Sequence, residues 1–131
     1  MVKKMMIKAE QIQAEAELNG TKTAEAIWKA LPIERRANLW GNEIYFAIPV
    51  EIELENGQEV VQIGDLGYWP TGEAFCIFFG ETPLSSKGEI RPASAVTILG
   101  KVTSDAAVFK KVSSGATVSI SNIEAKKLTW N

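Results

Sequence analysis

From Met5 to Leu18 the chain alternates. Met5, Ile7, Ala9, Ile12, Ala14, Ala16 and Leu18 are apolar, with Lys8, Gln13, Glu15 and Glu17 set between them. A period of two is the pattern of a strand with one buried face, so this stretch predicts two strands in succession. After a turn over Asn19–Lys22 the period changes. Ala24, Ile27, Trp28 and Leu31 fall on one helical face, Thr23 stands where a cap would, Glu25 suits the first turn, and Pro32 closes the helix. Trp28 on that face reads as a core residue. Alternation returns at Ile44, Phe46 and Ile48, and again at Val50, Ile52 and Leu54 between glutamates. Asn56-Gly57 follows, a dipeptide that favours a tight hairpin because both turn positions need positive φ. Pairing across it sets Ile52 opposite Val61 and Val50 opposite Ile63, all on one face.

An almost unbroken apolar run, from Ala74 to Phe79, predicts the next strand; Phe75, Ile77 and Phe79 share one side, Ala74, Cys76 and Phe78 the other. Prolines and a glycine mark a loop before the strand Val96–Val102. Ser104 and Asp105 cap a short helix that carries Lys110 and Lys111 at its negative end, and Gly115 stops it. Val118 and Ile120 alternate once more, and a last segment runs to Trp130. About eight short strands joined by hairpins, with two short helices, predict a mainly β single domain over residues 1–131. Its expected architecture is a closed eight-stranded barrel with the helices capping its ends.

Charge removes some partners from consideration. The 14 basic and 16 acidic residues give a net charge of −2, so no overall field favours nucleic acid or an anionic membrane. No apolar run approaches the roughly 18 residues of a membrane span, and the lysine-bearing start lacks the apolar centre of a secretory leader. A lone cysteine cannot form an internal disulfide, which points to a reducing, cytoplasmic setting. The chain has no histidine. That removes the commonest general base, the histidine-activated nucleophiles and imidazole metal sites. Asp65, Glu73, Glu81 and Glu89 are not spaced as a metal motif, so neither metal nor cofactor is expected. Cys76, without a histidine to activate it, reads as an inert buried residue.

Several strings resemble the cyclophilins. "AELNGTKTAEAIWKAL" is similar to a cyclophilin strand followed by a helix beginning Thr-Ala-Glu, "QIGD" at 62–65 to Gln-Gly-Gly-Asp, "GEAFCIFFGETP" to the Phe-Phe-Ile-Cys strand, and "VTILGKV" to the strand ending Phe-Gly-Lys-Val. More closely, the chain resembles a family of small prokaryotic proteins with a cyclophilin-like fold and no settled function. In that family strings like Gly64–Pro70, Phe78–Pro83 and Glu89–Pro92 recur. The likeness spans roughly residues 5–130 in the same order.

The resemblance also shows what is lacking. Cyclophilins aim an arginine at the proline nitrogen beside an apolar pocket. By the match Gln62 takes the place of their active-site glutamine, Phe75 is core, and Cys76 replaces the phenylalanine that floors the proline pocket. The pocket histidine falls near Ala95 or Val96 and is missing, and no tryptophan lies between Glu81 and Val96. The three arginines are Arg35, Arg36 and Arg91, none in the stretch before Gln62 where the catalytic one would lie. A charge-assisted hydrogen bond contributes about 1.5–3 kcal/mol, and about 1.4 kcal/mol is tenfold in rate, so orthodox isomerase activity is not expected. The expectation is a binding module holding an extended peptide or small acidic molecule in an apolar outer groove formed by Gln62, Tyr68, Trp69, Cys76, Phe78 and Arg91. Two alternatives stand beside it. One is a weak peptidyl-prolyl cis-trans isomerase in which Arg91 reaches the groove from its loop. The other is a structural subunit whose groove, centred on Phe78, joins copies into a homo-oligomer.

Overall fold

Lys3–Ala9 (β1) and Ile12–Leu18 (β2) pair antiparallel, with Met5 opposite Ala16 and Ile7 opposite Ala14. The computed structural model describes residues 3–123, so the segment ending at Trp130 lies outside the described residues. Helix α1, Lys22–Ala30, is capped by Thr21 rather than Thr23: the Thr21 hydroxyl accepts from Ala24 N at 3.0 Å. Ala24 and Ile27 are fully buried, while Trp28 only rests against the core. The remaining strands are Ile33–Arg36 (β3), Asn38–Leu39 (β4), Glu43–Ala47 (β5), Asp65–Trp69 (β6), Ala74–Phe78 (β7), Thr97–Val102 (β8) and Thr117–Ile123 (β9). A short 3-10 helix, Ala106–Lys111, is capped by the Asp105 carboxylate on Ala107 N at 3.0 Å.

All the strands belong to one antiparallel sheet in the order β3-β9-β1-β2-β8-β6-β7-β5-β4. Its two edges are neighbours in the chain. β3 pairs with β9, β4 pairs with β5, and only Ala37 separates them. Ala37 N donates to Ala116 O at 2.8 Å, and Ala37 O accepts from Gly115 N at 2.9 Å, so the ladder bends there without losing its bonds. The sheet thereby comes nearly full circle. Counted as one bent strand, β3 and β4 reduce nine strands to the expected eight.

Alternation then decides what fills the interior. Met5, Ile7, Ile44, Phe46, Leu66, Tyr68, Phe75, Ile77, Leu99, Val118 and Ile120 point inward and lose essentially all contact with solvent. The Phe46 and Phe75 rings stack at 5.4 Å, and Phe109 of the 3-10 helix meets Phe79 at 6.1 Å. Burying each such side chain is worth about 1.5–3 kcal/mol. Gly100 on β8 must be glycine, because a Cβ there would stand 2.2 Å from the Glu17 carbonyl oxygen. Among the described residues no helix is long and apolar enough to cross a membrane.

The Asn56-Gly57 hairpin does not form. Asn56 does take a positive φ of 48°, but residues 50–55 and 58–63 are not paired to each other. Gln58 bridges to Val96 and Val61 to Ile90, while the Tyr68 hydroxyl donates to Val50 O at 2.6 Å. Val50 joins the interior, Val61 joins a second cluster outside the barrel wall, and Ile63 is 67% exposed. The alternate-burial pattern is thus met only in part: Val50 and Val61 are buried on different surfaces, while Leu54 and Ile63 are exposed.

Candidate functional site

β4 and β5 are joined by a tight turn over Trp40–Glu43. Trp40 N donates to Glu43 O at 2.9 Å and Glu43 N to Trp40 O at 3.2 Å. Gly41 has a φ of 61° and lies so close to the next loop that a Cβ would come within 2.9 Å of Glu81 O and Pro83. Asn42 N donates to Glu81 O at 2.9 Å and Phe79 N to Asn42 O at 2.9 Å, which pins the turn to the Gly80–Pro83 segment. Glu43 and Tyr45 alternate with Ile44 and Phe46, so they stand on the outer side of the barrel wall. There Glu43 faces Phe78 across the ladder, and Tyr45 faces Cys76.

Trp69 reaches the same outer side from the end of β6. Its indole N–H donates to Ser94 Oγ at 2.6 Å, and its ring lies over Gly72, where a Cβ would sit 2.7 Å from the ring. Two contacts thus fix its orientation before anything binds. Trp40, Glu43, Tyr45, Trp69, Pro92, Ala93 and Val96 together line a pocket of about 210 Å³. Glu43 is only 5% exposed, and its Oε1 has no hydrogen-bond partner. Burial lifts its carboxyl from 4.5 to about 7, the neighbouring Cys76 thiol offsetting a little of that rise. Burial in turn pushes the Cys76 thiol well up, and the Glu43 charge adds to the effect. A thiol so placed is no nucleophile at neutral pH.

The profile of the cyclophilin-like family matches residues 3–121. The chain belongs to the cyclophilin-like family. It is similar to the hypothetical protein AF2241 from Archaeoglobus fulgidus, whose solution structure shares 40% sequence identity and a TM-score of 0.78. The similarity covers 93% of this chain and 95% of that one. No curated protein matches the chain.

On this cyclophilin-like barrel the residues singled out from sequence are dispersed. Trp69 lines the pocket. Its neighbour Tyr68 does not: it is wholly buried in the barrel interior, because its partner across the ladder is Phe75. Cys76 and Phe78 do occupy the outer side, but they are 1% and 0% exposed, sealed under Val61, Ile90 and Val96. Both side chains are covered, and Phe78 offers no exposed surface. Gln62 is exposed elsewhere, in a separate pocket of about 400 Å³ with Asn19, Glu55, Val60, Asp65 and Ile98. Its backbone N–H donates to Asp65 Oδ2 at 2.8 Å.

Arg91 does not line the pocket. Its Nε donates to Glu89 Oε2 at 3.0 Å, an Nη lies 3.9 Å from Glu59, and its backbone ties the loop to Ser85 and Thr82. The ion pair holds the Glu89 carboxyl below the usual carboxylate range. Sequence pattern did not single out Trp40, Glu43, Tyr45 or Pro92. The available signal was that Glu43 and Tyr45 share one phase of the Ile44–Phe46 strand, the phase that meets Cys76.

Proposed function

We propose that this cyclophilin-like protein is a binding module of the cytoplasm, and that its site is the pocket between the Trp40 turn and Trp69. The observation that carries this reading is a concave, mostly apolar pocket with a wall held ready by Ser94 and Gly72 and one carboxyl group, that of Glu43, in its lining. An extended peptide could place one side chain in it. A small acidic ligand suits it less, because Glu43 is the charged residue of its lining and Arg91 is engaged by Glu89 and Glu59. Prolyl isomerase chemistry has no arginine at this pocket to aim at a proline nitrogen.

The indole N–H resonances of Trp40 and Trp69 report occupancy directly. Titration with blocked amino acids covering the natural side chains is expected to shift both for at least one class, and Trp69→Ala is expected to abolish the response at Trp40. If no probe moves either resonance, the reading is wrong. In exchange spectroscopy on an Ala-Pro peptide the protein is expected to leave the cis/trans rate unchanged. Catalysed exchange would return the isomerase reading.

A further inference from the structure

Glu43 is the feature of this pocket that the barrel itself does not account for. Glutamates such as Glu51 and Glu53 are exposed to solvent, whereas Glu43 is pressed to 5% exposure with Oε1 unpartnered. A buried acceptor without a donor is costly, and native structures keep very few of them without a reason. No lysine or arginine lines the pocket, and none of the ion pairs among the described residues involves Glu43. The pocket that Glu43 lines carries three aromatic residues instead: Trp40 at the other end of its own turn, Tyr45 on its own strand and Trp69 from β6. Aromatic faces attract cations, tryptophan most strongly. A lone acid among them supplies the charge and the hydrogen-bond acceptor that such a cation needs.

Resting on the reading of this pocket as a binding site, we propose that it receives an organic cation bearing N–H donors, an alkylammonium or guanidinium head group. Glu43 is its counter-ion and acceptor, and Trp40, Tyr45 and Trp69 are its aromatic walls. The volume of about 210 Å³ admits a head group with a short stem, and Pro92, Ala93 and Val96 give that stem an apolar surface. A carboxylate acceptor in the lining favours a cation that can donate over a quaternary ammonium, which cannot. The Cys76 thiol on β7 neighbours the Glu43 carboxyl and Tyr45 shares the pocket lining, and neither is cationic. Because the carboxyl is half protonated at about 7, a cation must displace a proton to bind below that pH.

The test follows the Trp40 and Trp69 indole resonances during titration with butylammonium, methylguanidinium, tetramethylammonium and butanol, at several pH values. Butylammonium and methylguanidinium are expected to bind more tightly than the other two. Their affinity is expected to rise by up to about tenfold per pH unit below pH 7 and to level off above it. Glu43→Gln, which keeps the shape of the side chain and is checked for folding by circular dichroism, is expected to lose about tenfold or more of cation affinity at pH 8 and to abolish the pH dependence. If butanol binds as well as butylammonium, or Glu43→Gln leaves cation affinity unchanged, the cation assignment falls while the pocket reading survives. If nothing binds, both fall. A lysine-containing pentapeptide that binds more tightly than butylammonium assigns the head group to a peptide; equal or weaker binding assigns it to a free amine.

Discussion

At the scale of single residues, Glu43 gives the barrel a pH dependence of its own. Its carboxyl rises from 4.5 to about 7 in the fold because burial disfavours the charged form. A raised acid binds its proton more tightly when folded, so stability is fullest below pH 4.5. It is lost progressively as pH climbs to about 7, by on the order of 3 kcal/mol. Chemical denaturation of Glu43→Gln is expected to show that slope removed, with the variant gaining on the wild type between about pH 5 and pH 8. Equal slopes in the two proteins would mean that Glu43 ionises freely in the fold. Sequence alone did not reach this residue, since a glutamate at a strand start is assigned to solvent by every pattern rule. It did reach its surroundings in part. Adjacent Tyr68 and Trp69 had to point opposite ways, but which one faced inward depended on the pairing of Leu66 with Ile77, a long-range fact.

Among the elements, the chain from Val50 to Ile63 shows how a strong local signal yields to a distant one. Asn56 adopts the left-handed backbone the hairpin asked for, yet Glu55 beside it is drawn across to helix α1. Its carboxylate accepts from Lys22 N at 3.1 Å, Thr23 N at 3.1 Å and Thr23 Oγ1 at 3.0 Å. The two backbone N–H groups are donors that the first turn of a helix otherwise leaves unpaired. The Lys22 backbone bond does most to hold the Glu55 carboxyl below its usual range. Glu55 N is tied in turn to Thr97 Oγ1 at 2.8 Å. Glu55→Ala is expected to lower the urea midpoint with the slope unchanged, and by more than Glu53→Ala, which removes only an exposed charge. Because a depressed carboxyl stabilises while ionised, that gap should narrow as pH falls through the folded-state value. A Glu55→Ala midpoint no lower than that of Glu53→Ala would show the cap to be dispensable. The strands themselves were legible in the alternation of β1, β2 and β5 and in the apolar run of β7, whereas the alternation over Val50–Leu54 formed no strand. β3 and β4 were not, because their Glu34-Arg35-Arg36 and Asn38 side chains are exposed and their register comes from β9 and β5.

For the molecule as a whole, the question is why one barrel face closes over its apolar residues and leaves a pocket beside Trp69. Val61 and Ile90 are carried onto the outer wall by long loops that bridge each other. With Val96 they bury Cys76 and Phe78 as a second small core. The loop that supplies Ile90 is locked by the Arg91–Glu89 pair and by Thr82 and Ser85, and just beyond Arg91 it delivers Pro92 and Ala93 to the pocket rim. Covering and pocket are therefore one construction: the lid that seals Cys76 also shapes the edge beside Trp69. Removing part of that lid tests the link. Ile90→Ala should cost about 2–5 kcal/mol as a large-to-small change in a packed site. It should also raise the rate at which a thiol reagent labels Cys76, which is expected to resist labelling in the native wild type. If labelling arises from local opening of the lid, its rate stays flat at low urea, where global unfolding is still negligible. Rapid labelling of the wild type would show that the second core is loosely packed, and the pocket wall it supports would then no longer be preformed.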